Sequence, residues 1–142
     1  MKLIFAYLVS ALLVHHGQSA MSEQQLKAAI KLMRNVCQPK SKATDEQIAA
    51  MHEGNFDQGK PIQCYNWCLL NMYKLIRKDN SFDWEGGLKT LEAQAPPRIV
   101  GPATKCITQC KDAVKTTSDK CAAGNEITEC LYKCDPPNYF LP

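Results

Sequence analysis

The sequence predicts an all-α protein whose helices are held together by disulfide bonds. Two observations favour this class: 8 cysteines follow an apparent secretion signal, and apolar residues recur at helical spacing along the chain. In addition, no useful stretch alternates apolar and polar residues as a half-buried strand would. We therefore expect a secretion signal over residues 1–20 and one six-helix domain over residues 21–142.

The first twenty residues have the composition of a secretion signal. Lys2 supplies a positive charge, an apolar run extends from Leu3 to Val14, and small residues precede a cleavage site after Ser19 or Ala20. The apolar run is too short to span a bilayer, which needs about 20 residues. We expect the mature chain to be secreted, with its cysteines in an oxidising compartment.

The charge balance excludes one class of partner. The full chain has 17 basic and 14 acidic residues, and removal of the signal takes away only Lys2, which lowers the net charge from +3 to +2. The basic residues are scattered among acidic ones rather than clustered. We therefore expect no nucleic-acid partner.

The helix signals begin with two capping boxes. In a capping box, two residues three positions apart each bond the other's backbone N–H through their side chains. The sequence offers this spacing at Ser22 with Gln25 and at Thr44 with Gln47. They predict a first helix over 22–36, ended by Pro39, and a short second helix closed near Gly54.

Four further helices are predicted along the rest of the chain. Their expected ranges are 62–77, 84–93, 103–118 and 125–133. Pro96, Pro97 and Pro102 predict an irregular connection before the fifth helix. The closing segment, residues 135–142, is apolar at Tyr139, Phe140 and Leu141, and it either covers part of a binding site or packs on the outside of the core.

The cysteine spacing carries a resemblance to a known family. Six cysteines follow the pattern Cys37-x26-Cys64-x3-Cys68-x41-Cys110-x10-Cys121-x8-Cys130, accompanied by the motifs Cys-Gln-Pro-Lys from Cys37, Glu-Gly-Asn-Phe from Glu53 and Cys-Tyr-Asn-Trp-Cys from Cys64. This pattern resembles the insect odorant-binding proteins, the pheromone and general odorant-binding group. The resemblance covers the whole mature chain and implies six helices around an apolar cavity.

The resemblance also implies three disulfide bonds. The family joins its first cysteine to the third, the second to the fifth and the fourth to the sixth. At the matching positions of this sequence the bonds are Cys37–Cys68, Cys64–Cys121 and Cys110–Cys130.

Cys106 and Cys134 lie outside the family pattern. Cys106 is one helical turn before Cys110, and Cys134 is one turn after Cys130, so each extra cysteine shares a face with a paired one. If the fifth and sixth helices run antiparallel and Cys110 meets Cys130, Cys106 is brought opposite Cys134 and a fourth bond forms. The alternative is two unpaired thiols.

The sequence gives little support for metal binding, cofactor binding or catalysis. The mature chain retains a single histidine, His52, and the cysteine spacing is not typical of zinc sites, so no metal and no cofactor are expected. No nucleophile motif, phosphate-binding loop or dinucleotide fingerprint is present. We therefore predict that the protein is not an enzyme.

The resemblance implies a secreted carrier of small hydrophobic molecules, such as odorants or pheromones, in an aqueous sensory fluid. A lipid carrier, or an interaction protein with its interior filled by side chains, remains the alternative. The expected partners are a small hydrophobic ligand and a sensory receptor. No stable membrane insertion is expected, and the chain is expected to be a monomer or a weak homodimer.

The predicted cavity lining combines apolar side chains from five helices and the closing segment with two polar candidates. The set is Met33, Asn66, Leu70, Leu75, Ile76, Phe82, Leu88, Leu91, Val100, Val114, Leu131, Tyr139, Phe140 and Leu141.

The third helix bears on ligand choice. An alcohol-binding member of the family presents hydroxyl side chains from this helix, and the matching positions here are Asn66, Leu70 and Leu75. The two leucines offer no hydrogen bond to a buried hydroxyl. We therefore expect a larger and more apolar ligand than a short alcohol.

Overall fold

Six α-helices make up the domain. The computed structural model describes residues 19–142. The helices are α1 (Glu23–Ser41), α2 (Asp45–His52), α3 (Lys60–Met72), α4 (Trp84–Gln94), α5 (Pro97–Gln109) and α6 (Lys120–Cys134), followed by a short 3-10 turn (Pro136–Asn138). Within residues 19–142 the only extended pairing is an isolated antiparallel bridge between Ile76 and Phe82. The predicted all-α class is confirmed, whereas residues 1–18 of the predicted secretion signal lie outside the described residues.

Both predicted capping boxes are present. The Ser22 hydroxyl accepts from the Gln25 backbone N–H, and the Gln25 side chain accepts from the Ser22 N–H in return. Thr44 and Gln47 make the same reciprocal pair at the start of α2. These caps satisfy N–H groups that have no partner inside the helix, which fixes where α1 and α2 begin.

The predicted end of α1 before Pro39 is wrong, because the helix continues to Ser41. A proline in the last turn removes only one N–H from the helix. The turn is held by other contacts: the N–H of Lys42, in the left-handed conformation, donates to the Gln38 carbonyl at 2.9 Å. The disulfide between Cys37 and Cys68 fixes the same turn against α3.

The predicted range of α3 is also too long. The helix ends at Met72 because Lys74 adopts a left-handed backbone with φ of 58°. The chain then reverses: the Leu75 N–H donates to the Leu70 carbonyl at 2.9 Å, and the Asp83 N–H donates to the Leu75 carbonyl at 2.8 Å. Leu75 and Ile76 therefore lie in the connection to α4 and not on α3.

The three prolines expected to keep the chain irregular instead stand at the start of α5 and inside it. Pro97 is the first residue of α5, where its missing N–H would have no helical partner in any case, and Pro102 lies within the helix. As a result α5 begins earlier than predicted, and it ends at Gln109. Helix α6 also begins earlier than the predicted residue 125. The Asp119 carboxylate caps its start by accepting from the N–H groups of Cys121 and Ala122.

Helix α3 is the central element of the fold and packs closely against α6. A Cβ atom placed on Gly124 of α6 would lie 2.4 Å from the Cα of Trp67 on α3, so only glycine allows this approach. The disulfide Cys64–Cys121 joins the same two helices with a Cα–Cα distance of 4.4 Å. Tyr65, which follows Cys64 on α3, is fully buried.

The apolar interior is divided into two clusters. The first core cluster lies among α1, α2 and α3 and includes Met33, Ile48, Met51, Ile62 and Leu69. The second core cluster draws on α1, α4, α5, α6 and the segment after α6, and includes Leu26, Leu91, Ile99, Ile107, Ile127 and Leu141. Tyr73, just after α3, packs against both clusters.

Four disulfides connect the helices. Cys37–Cys68 joins α1 to α3 and Cys64–Cys121 joins α3 to α6. Cys110–Cys130 and Cys106–Cys134 form two successive links between α5 and α6, with Cα–Cα distances of 5.9 Å and 5.6 Å. The first three match the pairing that the resemblance implied, and the fourth matches the antiparallel arrangement expected of Cys106 and Cys134.

The connection between α5 and α6 is organised by Glu126. Its carboxylate accepts from the backbone N–H groups of Lys115 (2.6 Å) and Thr116 (3.0 Å) and from the Thr116 hydroxyl (2.7 Å). These amides are therefore satisfied outside a helix, which explains why the predicted fifth helix does not reach residue 118. Burial by itself raises the Glu126 pKa, but the bonds from Lys115 and Thr116 outweigh it and hold the pKa below its usual range.

We predict that Gly124→Ala destabilises the fold by at least about 1–3 kcal/mol, because the added methyl group meets the backbone of α3 and not a flexible side chain. Gly101→Ala is the matched control. Gly101 lies in α5 with open space around its Cβ position, so alanine there should be neutral or stabilise by about 0.5–1 kcal/mol. Denaturant unfolding of the oxidised proteins gives both values. Equal stability of the two variants would contradict the close α3–α6 contact.

We also predict that acid weakens the α5–α6 connection through Glu126. Because its folded pKa lies below the unfolded value, its stabilisation is present above the unfolded pKa and is lost as the pH falls through the folded pKa. Glu126→Gln should be less stable than the parent at neutral pH, and the difference should shrink towards pH 3. Unfolding measured at a series of pH values tests this. A difference that stays constant down to low pH would exclude a role for the carboxylate charge.

Candidate functional site

An apolar cavity lies inside the second core cluster. Its volume is about 120 Å³. The lining comes from the start of the domain, α4, α5, the connection between α3 and α4, the end of α6 and the segment that follows it. The lining residues are Met21, Leu26, Tyr73, Leu75, Gly87, Thr90, Leu91, Gln94, Ala95, Ile99, Pro102, Ala103, Cys106, Ile107, Leu131, Asp135, Asn138, Tyr139, Phe140 and Leu141.

The surface of the cavity is almost entirely apolar. Gln94 and Asn138 belong to the lining and are also exposed to solvent, so the lining extends to the molecular surface. The Met21 N–H donates to the Gln94 carbonyl at 2.7 Å, which joins two residues of the lining.

Helix α5 supplies one wall of the cavity. Ile99, Ala103, Cys106 and Ile107 recur at spacings of three and four residues, which places them on one face of the helix. Across the cavity, α4 contributes Gly87, whose missing side chain leaves room for Leu75: a Cβ at this position would lie 2.9 Å from Leu75 Cδ2.

The segment after α6, residues 135–142, folds back into the interior and forms another wall. Leu141 is only 6% exposed, and the Tyr65 hydroxyl donates to the Pro142 carbonyl at 2.9 Å in a buried hydrogen bond. The ring of Tyr139 packs edge-on against Tyr132 and His52, with centroid distances of 5.3 and 5.8 Å. We name residues 135–142 the closing segment. Of the two expectations for it, the structure places it against the cavity rather than outside the core.

Two tyrosines of the cavity lining have hydroxyl groups without a hydrogen-bond partner among residues 19–142. They belong to Tyr73 and Tyr139, and both oxygen atoms are buried. Burial raises the pKa of each phenol far above its usual range, and for Tyr139 the neighbours Tyr65, Tyr73 and Tyr132 raise it further. Both groups therefore stay neutral hydrogen-bond donors at any physiological pH. The Tyr65 pKa is also raised by burial, to about 12, but its hydroxyl is already paired with Pro142.

Six of the fourteen residues predicted from the sequence as lining do line the cavity. They are Leu75, Leu91, Leu131, Tyr139, Phe140 and Leu141. Five others belong to the second core cluster without reaching the cavity wall: Leu70, Ile76, Phe82, Leu88 and Val114.

The remaining three predicted residues also lie outside the lining. Met33 is buried in the first core cluster, and Val100 is half-buried on α5 outside the lining. Asn66 is fully buried, and its Nδ2 donates to Asn125 Oδ1 at 2.8 Å, which links α3 to α6. The amide of Asn66 therefore serves the helix contact and does not face a ligand in the cavity.

Sequence reasoning missed the face of α5 because it started that helix too late. Had the helix been predicted from Pro97, the spacing of Ile99, Ala103 and Ile107 would have identified an inward face. Tyr73 was missed for a different reason: it follows the last turn of α3, and only the reversal at Lys74 turns this region towards the second core cluster.

The described residues show neither a metal centre nor a membrane-spanning helix. Across residues 19–142, no three His, Cys, Asp or Glu side chains are grouped in a way that could hold a metal ion. None of the six helices combines the length and the apolar character needed to cross a bilayer.

The structure thus defines a disulfide-linked, all-α protein with a small apolar cavity. Residues 19–134 match the model of the PBP/GOBP family, and the chain belongs to that family.

Individual relatives agree with this family. General odorant-binding protein 72 of Anopheles gambiae is 31% identical over 121 residues, covering 85% of this chain and 99% of the relative. General odorant-binding protein 19a of Drosophila melanogaster is 28% identical over 121 residues, covering 83% of this chain and 82% of the relative.

Two solved structures are similar along nearly their whole length. The crystal structure of odorant binding protein 4 from Chrysopa pallens has a TM-score of 0.78 and 37% identity, and the match covers 86% of this chain and 99% of that one. The structure of Apis mellifera odorant binding protein 5 has a TM-score of 0.77 and 29% identity, with 87% and 100% of the two chains covered.

We predict that the bond between Cys106 and Cys134 fixes the closing segment. Cys134 is the last residue of α6, directly before this segment, and Cys106 lines the cavity. Replacing both cysteines by alanine should lower stability by about 2–4 kcal/mol and increase amide hydrogen exchange in residues 135–142. Exchange in α2 should stay unchanged and serves as the internal control. Unaltered exchange in residues 135–142, or free thiols at both positions in the parent protein, would refute this role.

Proposed function

We propose that the protein binds a small hydrophobic molecule in its cavity and carries it through an aqueous extracellular fluid. The observation that carries this proposal is the apolar cavity closed by residues 135–142. Membership of the PBP/GOBP family and the printed names of the relatives, which are odorant-binding proteins, support the same function. A cavity of this kind disfavours an interaction protein with its interior filled by side chains.

We infer that binding is driven by transfer of the ligand out of water. Each Å² of apolar surface removed from water contributes about 25 cal/mol. An engineered cavity of roughly 150 Å³ in another protein binds benzene. The cavity here, at about 120 Å³, therefore suits a compact ligand of about one ring in this conformation. Larger ligands, which the leucines of the third helix led us to expect, would require the closing segment to move outwards.

The proposed location is extracellular. Four disulfide bonds link the helices, and disulfides persist in oxidising compartments outside the cytosol. A sensory receptor as a further partner, and a monomeric or weakly dimeric state, remain predictions.

We propose no catalytic role. Among the cavity-lining residues of the described chain, Asp135 is the only carboxylate. The two tyrosines stay neutral because burial raises their pKa values. Such a lining can hold a ligand and orient it.

The test is displacement of a fluorescent apolar probe, with one variant that fills the cavity. We expect the parent protein to bind the probe with a dissociation constant of roughly micromolar order, about −8 kcal/mol. Ala103→Phe places a ring on the cavity wall of α5 and should weaken binding at least about tenfold.

Lys105→Phe is the matched control, since Lys105 is exposed on the same helix and lies outside the lining. It should bind the probe as the parent does. Absence of probe binding by the parent, or equal binding by Ala103→Phe and the parent, would overturn the proposed function.

A further inference from the structure

Leu75 and Gly87 meet at one point of the cavity wall. Both residues line the cavity, Leu75 from the connection between α3 and α4 and Gly87, which is buried, from α4 itself. A Cβ atom on Gly87 would lie 2.9 Å from Leu75 Cδ2, which is closer than Cβ contacts in real structures. The tip of Leu75 therefore occupies the space that a side chain at position 87 would need.

The backbone of Leu75 is held on both sides, so the wall changes shape here through the side chain. The Leu75 N–H donates to the Leu70 carbonyl at 2.9 Å, and the Leu75 carbonyl accepts from the Asp83 N–H at 2.8 Å. The next residue, Ile76, forms the isolated bridge with Phe82. Because both polar backbone groups of Leu75 are paired elsewhere, Leu75 contributes carbon atoms to the apolar wall.

The contact with Leu75 gives the reason for a glycine inside α4. Glycine is less favourable than alanine in a helix interior, and the backbone of Gly87 is not in the left-handed region that favours glycine. The next nearest atoms to its Cβ position are Ile107 Cδ1 and Cγ2, both at 4.0 Å, which is ordinary van der Waals contact. Among residues 19–142, Leu75 is thus the neighbour that excludes a side chain at position 87.

A methyl group at position 87 would push Leu75 towards the cavity. Leu75 packs against the buried residues of the second core cluster, and protein interiors of this kind contain little free space. The free volume beside Leu75 is the cavity of about 120 Å³ that it lines. Without a side chain at Gly87, Leu75 lies back against α4 and leaves this volume open.

Resting on the carrier function proposed above, we propose that Leu75, held back against α4 by the bare backbone of Gly87, sets the upper size of the ligand. The molecules it admits are apolar and of about one ring. A ligand with carbon atoms added to that ring would meet the Leu75 side chain. Leu75 is then the residue that determines specificity for size, and Gly87 is a positioning residue that acts through Leu75.

The test compares two hydrocarbons that differ only in size, benzene and indane, which is benzene with a bridge of three added CH2 groups. Calorimetric titration gives both dissociation constants directly, without a probe whose own affinity changes between variants. The quantity of interest is the dissociation constant of indane divided by that of benzene. Dividing the ratio in a variant by the ratio in the parent protein cancels the different hydration of the two ligands.

The two single substitutions should change this ratio in opposite directions. Leu75→Ala removes three carbon atoms from the wall and should lower the ratio at least about fourfold, the factor expected for one buried CH2 group. Gly87→Ala should raise it by a similar factor of about fourfold, because the displaced Leu75 takes space from the larger ligand. Leu75→Val, which removes a single carbon, should lower the ratio less and serves if Leu75→Ala does not fold.

The double substitution tests whether Gly87 acts through Leu75. With alanine already at position 75, the added methyl group no longer meets a Leu75 tip, so Gly87→Ala should then change the ratio by less than about twofold. Two controls keep the chemistry and leave the lining intact. Leu88→Ala removes the same atoms from a half-buried position of α4 outside the lining, and Gly101→Ala adds a methyl group in open space.

The outcomes separate this proposal from the carrier function. If benzene binds and Leu75→Ala keeps the parent ratio within about twofold, the size proposal is wrong and the carrier function stands. An effect of Gly87→Ala that persists in full beside Leu75→Ala, or an equal change in Leu88→Ala, would also overturn the size proposal. If the parent binds neither hydrocarbon nor the fluorescent probe, the carrier function fails, and the proposal that rests on it fails too.

Discussion

The close approach of α6 to α3 sets the geometry of the whole domain. At Gly124 there is no space for a side chain, since a Cβ atom would lie 2.4 Å from the Trp67 Cα. The disulfide Cys64–Cys121 and the hydrogen bond between Asn66 and Asn125 hold the same pair of helices. With these two helices fixed, the first core cluster forms on the side of α1 and α2, and α4 and α5 enclose the other side. The cavity lies on this second side, where the enclosing helices meet the closing segment.

The cavity depends on cross-links as well as on packing. A fully packed interior would exclude a ligand, and an interior with a void loses contact energy. Here two disulfides join α5 to α6 beside the void, and Cys106 itself is part of the lining. Covalent links restrict the unfolded chain and so offset the energy lost to incomplete packing. The Tyr65–Pro142 hydrogen bond then anchors the closing segment to α3.

The fold class and much of the helix pattern could be predicted from the sequence, because the signals are local. The capping boxes at Ser22 and Thr44 and the cysteine spacing are read from neighbouring residues, and both proved informative. The residues at which the helices end were harder to predict from the sequence. Pro39 lies within α1 because a hydrogen bond and a disulfide hold its turn, and Pro102 lies within α5. The left-handed Lys74 has no glycine to mark it.

The lining was only partly predictable, because it depends on which faces meet in three dimensions. Tyr139, Phe140 and Leu141 were found because an apolar closing segment is conspicuous in the sequence, whereas Leu70 is fully buried outside the lining. Asn66 was expected to offer a polar group to the ligand, but its side chain bonds Asn125 between α3 and α6. The cavity surface that remains is almost entirely apolar.

In the proposed function, a small apolar ligand occupies the cavity between α5 and the closing segment. The most direct measurement is a set of nuclear Overhauser contacts between a bound ligand and the methyl groups of the protein. We expect contacts to Ile99, Ile107, Leu131 and Leu141, which line the cavity. Contacts confined to Ile48 and Met51 of the first core cluster, or to the exposed Leu32, would contradict the claim.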